Sequence, residues 1–373
     1  MTSRPTWAEW AEVQLDEIRA SGRWRTPRTF DAHGVAGALQ GRPVVSFASN
    51  DYLGLSAHAS VNAAAKEAVD RWGSGATASR LVVGDRPCHN ELETEIAAWK
   101  HSERAMLFPT GYAANLGVLS VFGGDGVTVF SDELNHASII DGCRLGRSQV
   151  VVFRHCDLAH LESLLSAARG RKLVVTDSVF SMDGDTADVD GLAGVCSRFG
   201  ALLVLDEAHS VLGPAGPLPL EGLEIIRVGT LSKMLGSLGG WVAAPAGCID
   251  LLVNRARPYI FTTAPSPADT AAALAALRII RCPEGEALIE RLRSIVDRIR
   301  PGHPSPIIPI VLGDEDVAMR AAGDLLSLGV LVPAIRPPTV PVGTSRLRIA
   351  LSAAHDDSMI DHLLASLARL GLG

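Results

Sequence analysis

From residue 43 onward the chain repeats one device: a short unbroken apolar run, and between many of these runs a helical stretch. PVVSFASN, RAMLFPTG, GVTVFSD, SQVVVFRH, KLVVTDSV, ALLVLDEA, IIRVGTLS and GWVAAP follow one another in that order. Strands that are apolar throughout, rather than at every second residue, belong to a sheet covered on both faces, and helices between them make the connections parallel. The pattern predicts a doubly wound α/β core over 43–250. Several runs end in a polar cluster: SND at 49–51, TGY at 110–112, SD at 131–132, TDS at 176–178, DEAH at 206–209 and TLSK at 230–233. In open α/β sheets ligands sit beyond the carboxyl ends of the strands, so these clusters describe one site.

With 373 residues the chain exceeds one average core. An N-terminal arm (1–42) and a large domain (43–281) are expected, followed by a small α+β domain (282–373) built from SPIIPIVLG, RLRIALS and the helices around them. A net charge of −7 supplies no general positive field for nucleic acid. The six cysteines form no C-x-x-C pair and have no histidine at metal-ligand spacing, so free thiols and no metal are expected. The charged amphipathic start lacks the apolar core of a signal peptide, and no run reaches membrane-spanning length; the expected compartment is the cytoplasm.

DEAH at the end of a buried strand is also the acidic box of ATP-driven nucleic-acid motors. Such a motor needs a G-x-x-x-x-G-K-[ST] phosphate loop, and the chain has none. Lys233, in VGTLSKMLGSLGG, offers another reading. Alone it reads as a surface lysine after a strand. Desolvated beside a strand end it would be a Schiff-base nucleophile, and Asp206 one unit upstream is what pyridoxal phosphate needs to keep its pyridine nitrogen protonated. Gly111 and Tyr112 open a helix whose amides can receive a phosphate. His136 could lie on a ring face and His209 could bond its phenolic oxygen; either could equally be a core histidine.

Together SFASNDYLGL, GSGATASRLVVGD, LFPTGYAANLG, SDELNHASIIDGCRL, VVTDSVFSMDGD, LVLDEAHS, TLSKMLGSLGG and RPPTVPVGTSRLRIALSAAH resemble the α-oxoamine synthases, a family of fold-type-I pyridoxal-phosphate enzymes. The resemblance runs along almost the whole chain. It implies an aspartate-aminotransferase-like large domain with a mostly parallel seven-stranded sheet, and a small C-terminal domain. AIRPPTVPVGTSRLR and the short N-terminal arm are most similar to the branch that condenses L-alanine with a pimeloyl thioester, carried on CoA or a carrier protein, in biotin biosynthesis. Glycine or another acyl chain is the alternative within the family, and a catalytically silent binding homologue is a further one.

The resemblance implies roles residue by residue. Lys233 should carry the cofactor, Asp206 should pair with the pyridine nitrogen, and His136 should stack on the ring. His209 and Ser181 should contact the phenolic oxygen; Gly111, Tyr112 and Thr230 should surround the phosphate, with Thr263 reaching over from the second subunit of a homodimer. Asn50 and Arg348 should hold the amino-acid carboxylate, and Arg23 should meet the acyl substrate. Arg346 rivals Arg348, because alternation puts both on one face of RLRIALS. Ser210 stands where the family usually has glycine, and GPAGPLPLEG lacks the family's Gly-Arg-Gly element, so acyl specificity is less constrained than the amino-acid chemistry.

Overall fold

The computed structural model describes residues 5–213 and 222–372; most of the GPAGPLPLEG loop lies outside the described residues. Helix α1 (Trp7–Ala20) opens the chain on a Thr6–Glu9 capping box and has no buried residue. Strands β1 (Phe30–Ala32), β2 (Ala36–Leu39) and β3 (Arg42–Ser46) form an antiparallel meander. Helices α2 (Ala59–Trp72) and α3 (Pro87–Trp99) lead to β4 (Arg104–Phe108), α4 (Gly111–Phe122), β5 (Val127–Asp132), α5 (Ala137–Gly146), β6 (Gln149–Phe153) and α6 (Leu158–Ala167). Then come β7 (Arg171–Asp177), α7 (Val189–Phe199), β8 (Leu202–Asp206), β9 (Ile225–Thr230) and β10 (Gly240–Ala244).

These strands make a seven-stranded sheet in the order β4-β10-β9-β8-β7-β5-β6. All run the same way except β10, which is antiparallel to both neighbours. This is the mostly parallel sheet expected from the sequence. Chain winding reverses between β5 and β7, and the carboxyl ends of β4, β5, β7, β8 and β9 share one rim. One face is sealed by Val118, Ile139, Val204, Val228 and Leu252, the other by Phe130, Leu161, Val174, Val195 and Leu203. Covered on both sides, each strand gains by being apolar at every position.

The rest of the chain is α8 (Ala246–Arg255), α9 (Arg257–Ile260), α10 (Pro267–Ile280), α11 (Pro283–Ile299), β11 (Ile307–Gly313), α12 (Glu315–Ser327), β12 (Val330–Leu331), β13 (Ala334–Ile335), β14 (Ser345–Ala350) and α13 (Asp357–Arg369). The run PVVSFASN, read as a core strand, does not enter the large sheet. As β3 it pairs with β2 and, in parallel, with β12. Phe47 then donates its amide to Leu331 and accepts from Ala350, which carries the SND cluster to β14. The apolar run is right for a buried strand, but its partner is set by long-range pairing that periodicity does not encode. Tyr52, Leu55, Trp241, Leu277, Leu347 and Leu363 share one core, so the N-terminal segment, large sheet and C-terminal region pack as a continuous interior. No described helix is long and apolar enough to cross a membrane.

Candidate active site

Consecutive strand residues face opposite ways, and this separates the first two letters of DEAH. Glu207 lies between Lys100 Nζ at 2.6 Å and Arg227 Nη1 at 2.5 Å, all of them largely buried. Burial alone would raise its carboxyl pKa, but the two cations hold it below the usual value. Glu207 is thereby a structural brace, and removing one partner of such a buried group typically costs about 3–5 kcal/mol. Asp206 faces the rim. It accepts from Asn115 Nδ2 at 2.6 Å and from the Ala208 amide at 2.8 Å.

Asn115 stands one turn after Gly111 on α4, a mostly apolar helix, and its Nδ2 also reaches Ser138 Oγ at 2.9 Å. Its role was missed in the sequence, where the only signal is a polar side chain four residues from the helix start. Asp177, in the TDS cluster at the end of β7, is paired in register with Asp206. Burial, then the neighbouring Asp206 charge, push the Asp177 carboxyl well above its usual range. Asp177 accepts the His136 amide at 2.9 Å and so fixes the start of α5.

His136 caps α5, with Nδ1 2.8 Å from Ser138 Oγ, and burial keeps its imidazole below its ordinary pKa. A neutral ring edge-on to Tyr112, with centroids 6.5 Å apart, is suited to stacking on a flat heterocycle. Lys233 follows β9 in a turn closed by Leu231 N to Gly239 O at 2.9 Å and by Gly236 N to Lys233 O at 2.9 Å. Gly236 has φ +59°, and a Cβ there would meet Ser56 N at 2.3 Å, so only glycine lets this turn press against residue 56. The Lys233 Nζ lies 2.8 Å from His209 Nε2. Burial lowers its pKa, against the pull of Asp206 and Asp177, which favours the neutral nucleophilic amine.

His209 is held well below the usual histidine range by burial first and then by Lys233, Arg348 and His136. Its Nδ1 is 2.5 Å from the hydroxyl of Tyr52, a fully buried residue that sequence reasoning missed. Tyr52 donates to Asn50 Oδ1 at 3.1 Å, and Arg348 Nη2 donates to that same oxygen at 3.1 Å. One donor direction satisfies every group: Lys233 to His209, His209 to Tyr52, Tyr52 to Asn50. The amine and the Asn50–Arg348 pair thus belong to one network.

Among the other predicted residues, Arg348 is 5% exposed and its Nε donates to the Ser181 carbonyl. Ser181 therefore enters through its backbone, and its hydroxyl makes no hydrogen bond to His209 among the described residues. The rival Arg346 is committed to Asp183 and to the Thr344 carbonyl. Thr110 takes the Ala113 amide at 3.0 Å, which leaves the first amides of α4, those of Gly111 and Tyr112, for an anion. Thr230 closes on them: a Cβ on Gly111 would lie 3.2 Å from Thr230 Cβ. Tyr112 bonds Asp141 through its hydroxyl. Thr263 is exposed and shares no hydrogen bond with these groups among the described residues. Arg23 is paired with Glu315 at 2.7 Å, beside a cavity of about 530 Å³ lined by Leu15, Ile18, Trp24 and Pro338.

The donor set fits pyridoxal phosphate. Asn115 leaves a buried, unpartnered Oδ1 beside Asp206, and the Gly111–Thr230 approach is a cradle that a side chain on residue 111 would fill. The sequence profile of aminotransferase class I and II matches residues 42–367. The chain belongs to the aminotransferase class I and II family. An 8-amino-7-oxononanoate synthase of Anaeromyxobacter dehalogenans is 48% identical over 381 residues, spanning 96% of this chain and 95% of that one. A serine palmitoyltransferase solved with pyridoxal phosphate as an internal aldimine superposes with a TM-score of 0.91 at 29% identity, over 99% of this chain and 100% of that one. The 8-amino-7-oxononanoate synthase of Francisella tularensis gives 0.71 at 26% identity, over 88% and 98%. Membership in the aminotransferase class I and II family removes the motor reading of DEAH and accounts for a buried lysine and carboxylate at neighbouring strand ends.

Proposed function

We propose that the chain is an 8-amino-7-oxononanoate synthase, joining L-alanine to a pimeloyl thioester with release of CO2 and the thiol. The observation that carries this is the buried Lys233–His209–Tyr52–Asn50–Arg348 network opposite Asp206, in a chain similar over its full length to synthases of that name. Lys233, Asp206, His136 and the α4 amides would hold pyridoxal phosphate, which when bound supplies the electron sink for negative charge at the amino-acid Cα. Asp206 would keep the pyridine nitrogen protonated. Arg348 and Asn50 bind and orient the alanine carboxylate.

The Lys233 amine would take the proton from the alanine Cα and later return one to the product. The Cα–acyl bond forms, the thioester C–S bond breaks, and the alanine carboxyl leaves as CO2. His209 and Tyr52 keep the amine oriented. Steady-state rates with L-alanine, glycine and L-serine against C4, C6, pimeloyl and palmitoyl thioesters, on CoA and on carrier protein, test the assignment. L-alanine with a pimeloyl thioester should give the highest kcat/KM. A clear preference for glycine or for a long unbranched acyl chain would reject it in favour of another α-oxoamine synthase activity.

The enzyme acts as a homodimer with shared sites. Supporting this, Ala264 N bonds Ala78 O beside Thr263, and this segment presents Val82, Val83 and Phe261 at 73%, 66% and 69% exposure. Exposed apolar residues gathered on this segment suit a second copy of the chain. Mixing two inactive variants, Lys233→Ala and Thr263→Val, should restore partial activity after subunit exchange, because a mixed dimer has one site with both native residues. Mixtures with verified exchange that stay at the parental level would show that both residues serve one chain's site.

A further inference from the structure

Residues 178–187 form a tight hairpin beyond β7, closed by the Val179–Thr186 bridge and by Phe180 N to Asp185 O at 3.0 Å. Its tip does two things for β14: the Ser181 carbonyl takes Arg348 Nε, and Asp183 pairs with Arg346. Its base is held by a side chain that no part of the chemistry above uses. His155, just after β6, has Nδ1 2.9 Å from Asp132 Oδ1 and Nε2 2.6 Å from Asp185 Oδ2, with its ring edge-on to Phe180 at 4.3 Å. Asp132, at the end of β5, is nearly inaccessible and also takes the Leu134 and Cys156 amides, so it is a fixed anchor.

We propose that His155 is a positioning residue for amino-acid recognition, holding the 178–187 hairpin to the sheet so that Ser181 aims Arg348 at the substrate carboxylate. The proposal rests on the assignment of Arg348 made above. An imidazolium has one N–H for each of the two carboxylates, whereas a neutral ring has only one and leaves two aspartates facing each other across it. The other groups around it are Glu133, which accepts the His155 amide, Arg154, which pairs with Asp157, the Cys156 thiol, and His303, near Asp185. Burial, then Asp132 and Asp185, push the thiol up to about 12, so it stays neutral.

Burial opposes the charge on His155, but the bonds to Asp132 and Asp185 outweigh it and raise its pKa. The strut is therefore complete below the ordinary histidine range, persists toward higher pH, and is lost as pH rises through the raised value. The test is spectral titration of the holoenzyme with L-alanine alone, from acid to alkaline pH, for the wild type, His155→Gln, Asp185→Asn and Arg348→Ala. The wild type should bind alanine more weakly on the alkaline side of the His155 titration. His155→Gln should bind it several-fold more weakly and should lack that limb. Asp185→Asn should move the limb to lower pH, since one carboxylate raises the histidine less than two.

In both, kcat at saturating alanine should change less than the dissociation constant. Taking the ratio to wild type at each pH cancels the titration of alanine itself. Wild-type affinity and an unmoved limb in both variants, with Arg348→Ala weakened, overturn the positioning role alone. Unweakened binding by Arg348→Ala instead overturns the assignment on which it rests. If His155→Gln does not accumulate as folded holoenzyme, the position of the limb in Asp185→Asn decides.

Discussion

Replacing Lys233 with alanine is expected to abolish measurable turnover while leaving a folded protein. The side chain reaches its partner only through Nζ, at His209 Nε2, and the turn that carries it is closed by backbone bonds from Leu231, Gly236 and Ser237. Loss of proton transfer alone is worth roughly 10²–10⁴-fold, and loss of the covalent attachment adds to this. Borohydride treatment of the wild type should fix the cofactor to the peptide containing Lys233, as read by mass spectrometry, and should fix nothing in the variant. The alanine variant should still retain pyridoxal phosphate noncovalently through Asp206, His136 and the α4 amides. Near-normal turnover in this variant would remove Lys233 from both of its roles.

Asp206→Asn is expected to raise the barrier by roughly 3 to 4 kcal/mol, the range for deleting a preorganised electrostatic partner. The substitution is nearly isosteric, so the loss comes from charge. An amide cannot hold a ring nitrogen protonated in a buried site, and it must also present either an oxygen or an NH2 group to the Asn115 Nδ2, now 2.6 Å away. Neighbouring carboxyls are poor substitutes: Asp177 is pushed toward its neutral form, and Glu207 is committed to Lys100 and Arg227 on the opposite side of the strand. The measurement is kcat for L-alanine and pimeloyl thioester at saturating cofactor. An unchanged kcat would mean that another acid maintains the ring charge.

Much of the architecture is legible in the residues themselves. Unbroken runs such as KLVVTDSV and ALLVLDEA cannot be half-exposed strands, so a sheet covered on both faces follows, and with it a rim where Asp177, Asp206 and Thr230 gather. Lys233 next to a strand end, set among glycines, is visible at the same level. Local pattern does not say which strands become neighbours. PVVSFASN has the composition of a core strand and becomes part of another sheet, because β12, nearly 300 residues later, offers it a parallel edge.

That long-range pairing also determines which arginine faces the site. Strand alternation places Arg346 and Arg348 on the same side of β14 and leaves them equivalent. Asp183, at the hairpin tip, neutralises the first, and Asn50, delivered by the segment after β3, meets the second. Asn115, Tyr52 and His155 belong to the same class: each is an ordinary polar letter in its own segment, and its partner comes from elsewhere in the chain. By itself the sequence determined that a sheet covered on both faces forms, that its strand ends make a functional rim and which residues carry reactive groups, because burial and strand-end chemistry are local properties. Only the tertiary structure decided which of those groups are charged, which are neutral and which touch, because pKa values and hydrogen bonds depend on neighbours brought together from distant parts of the chain.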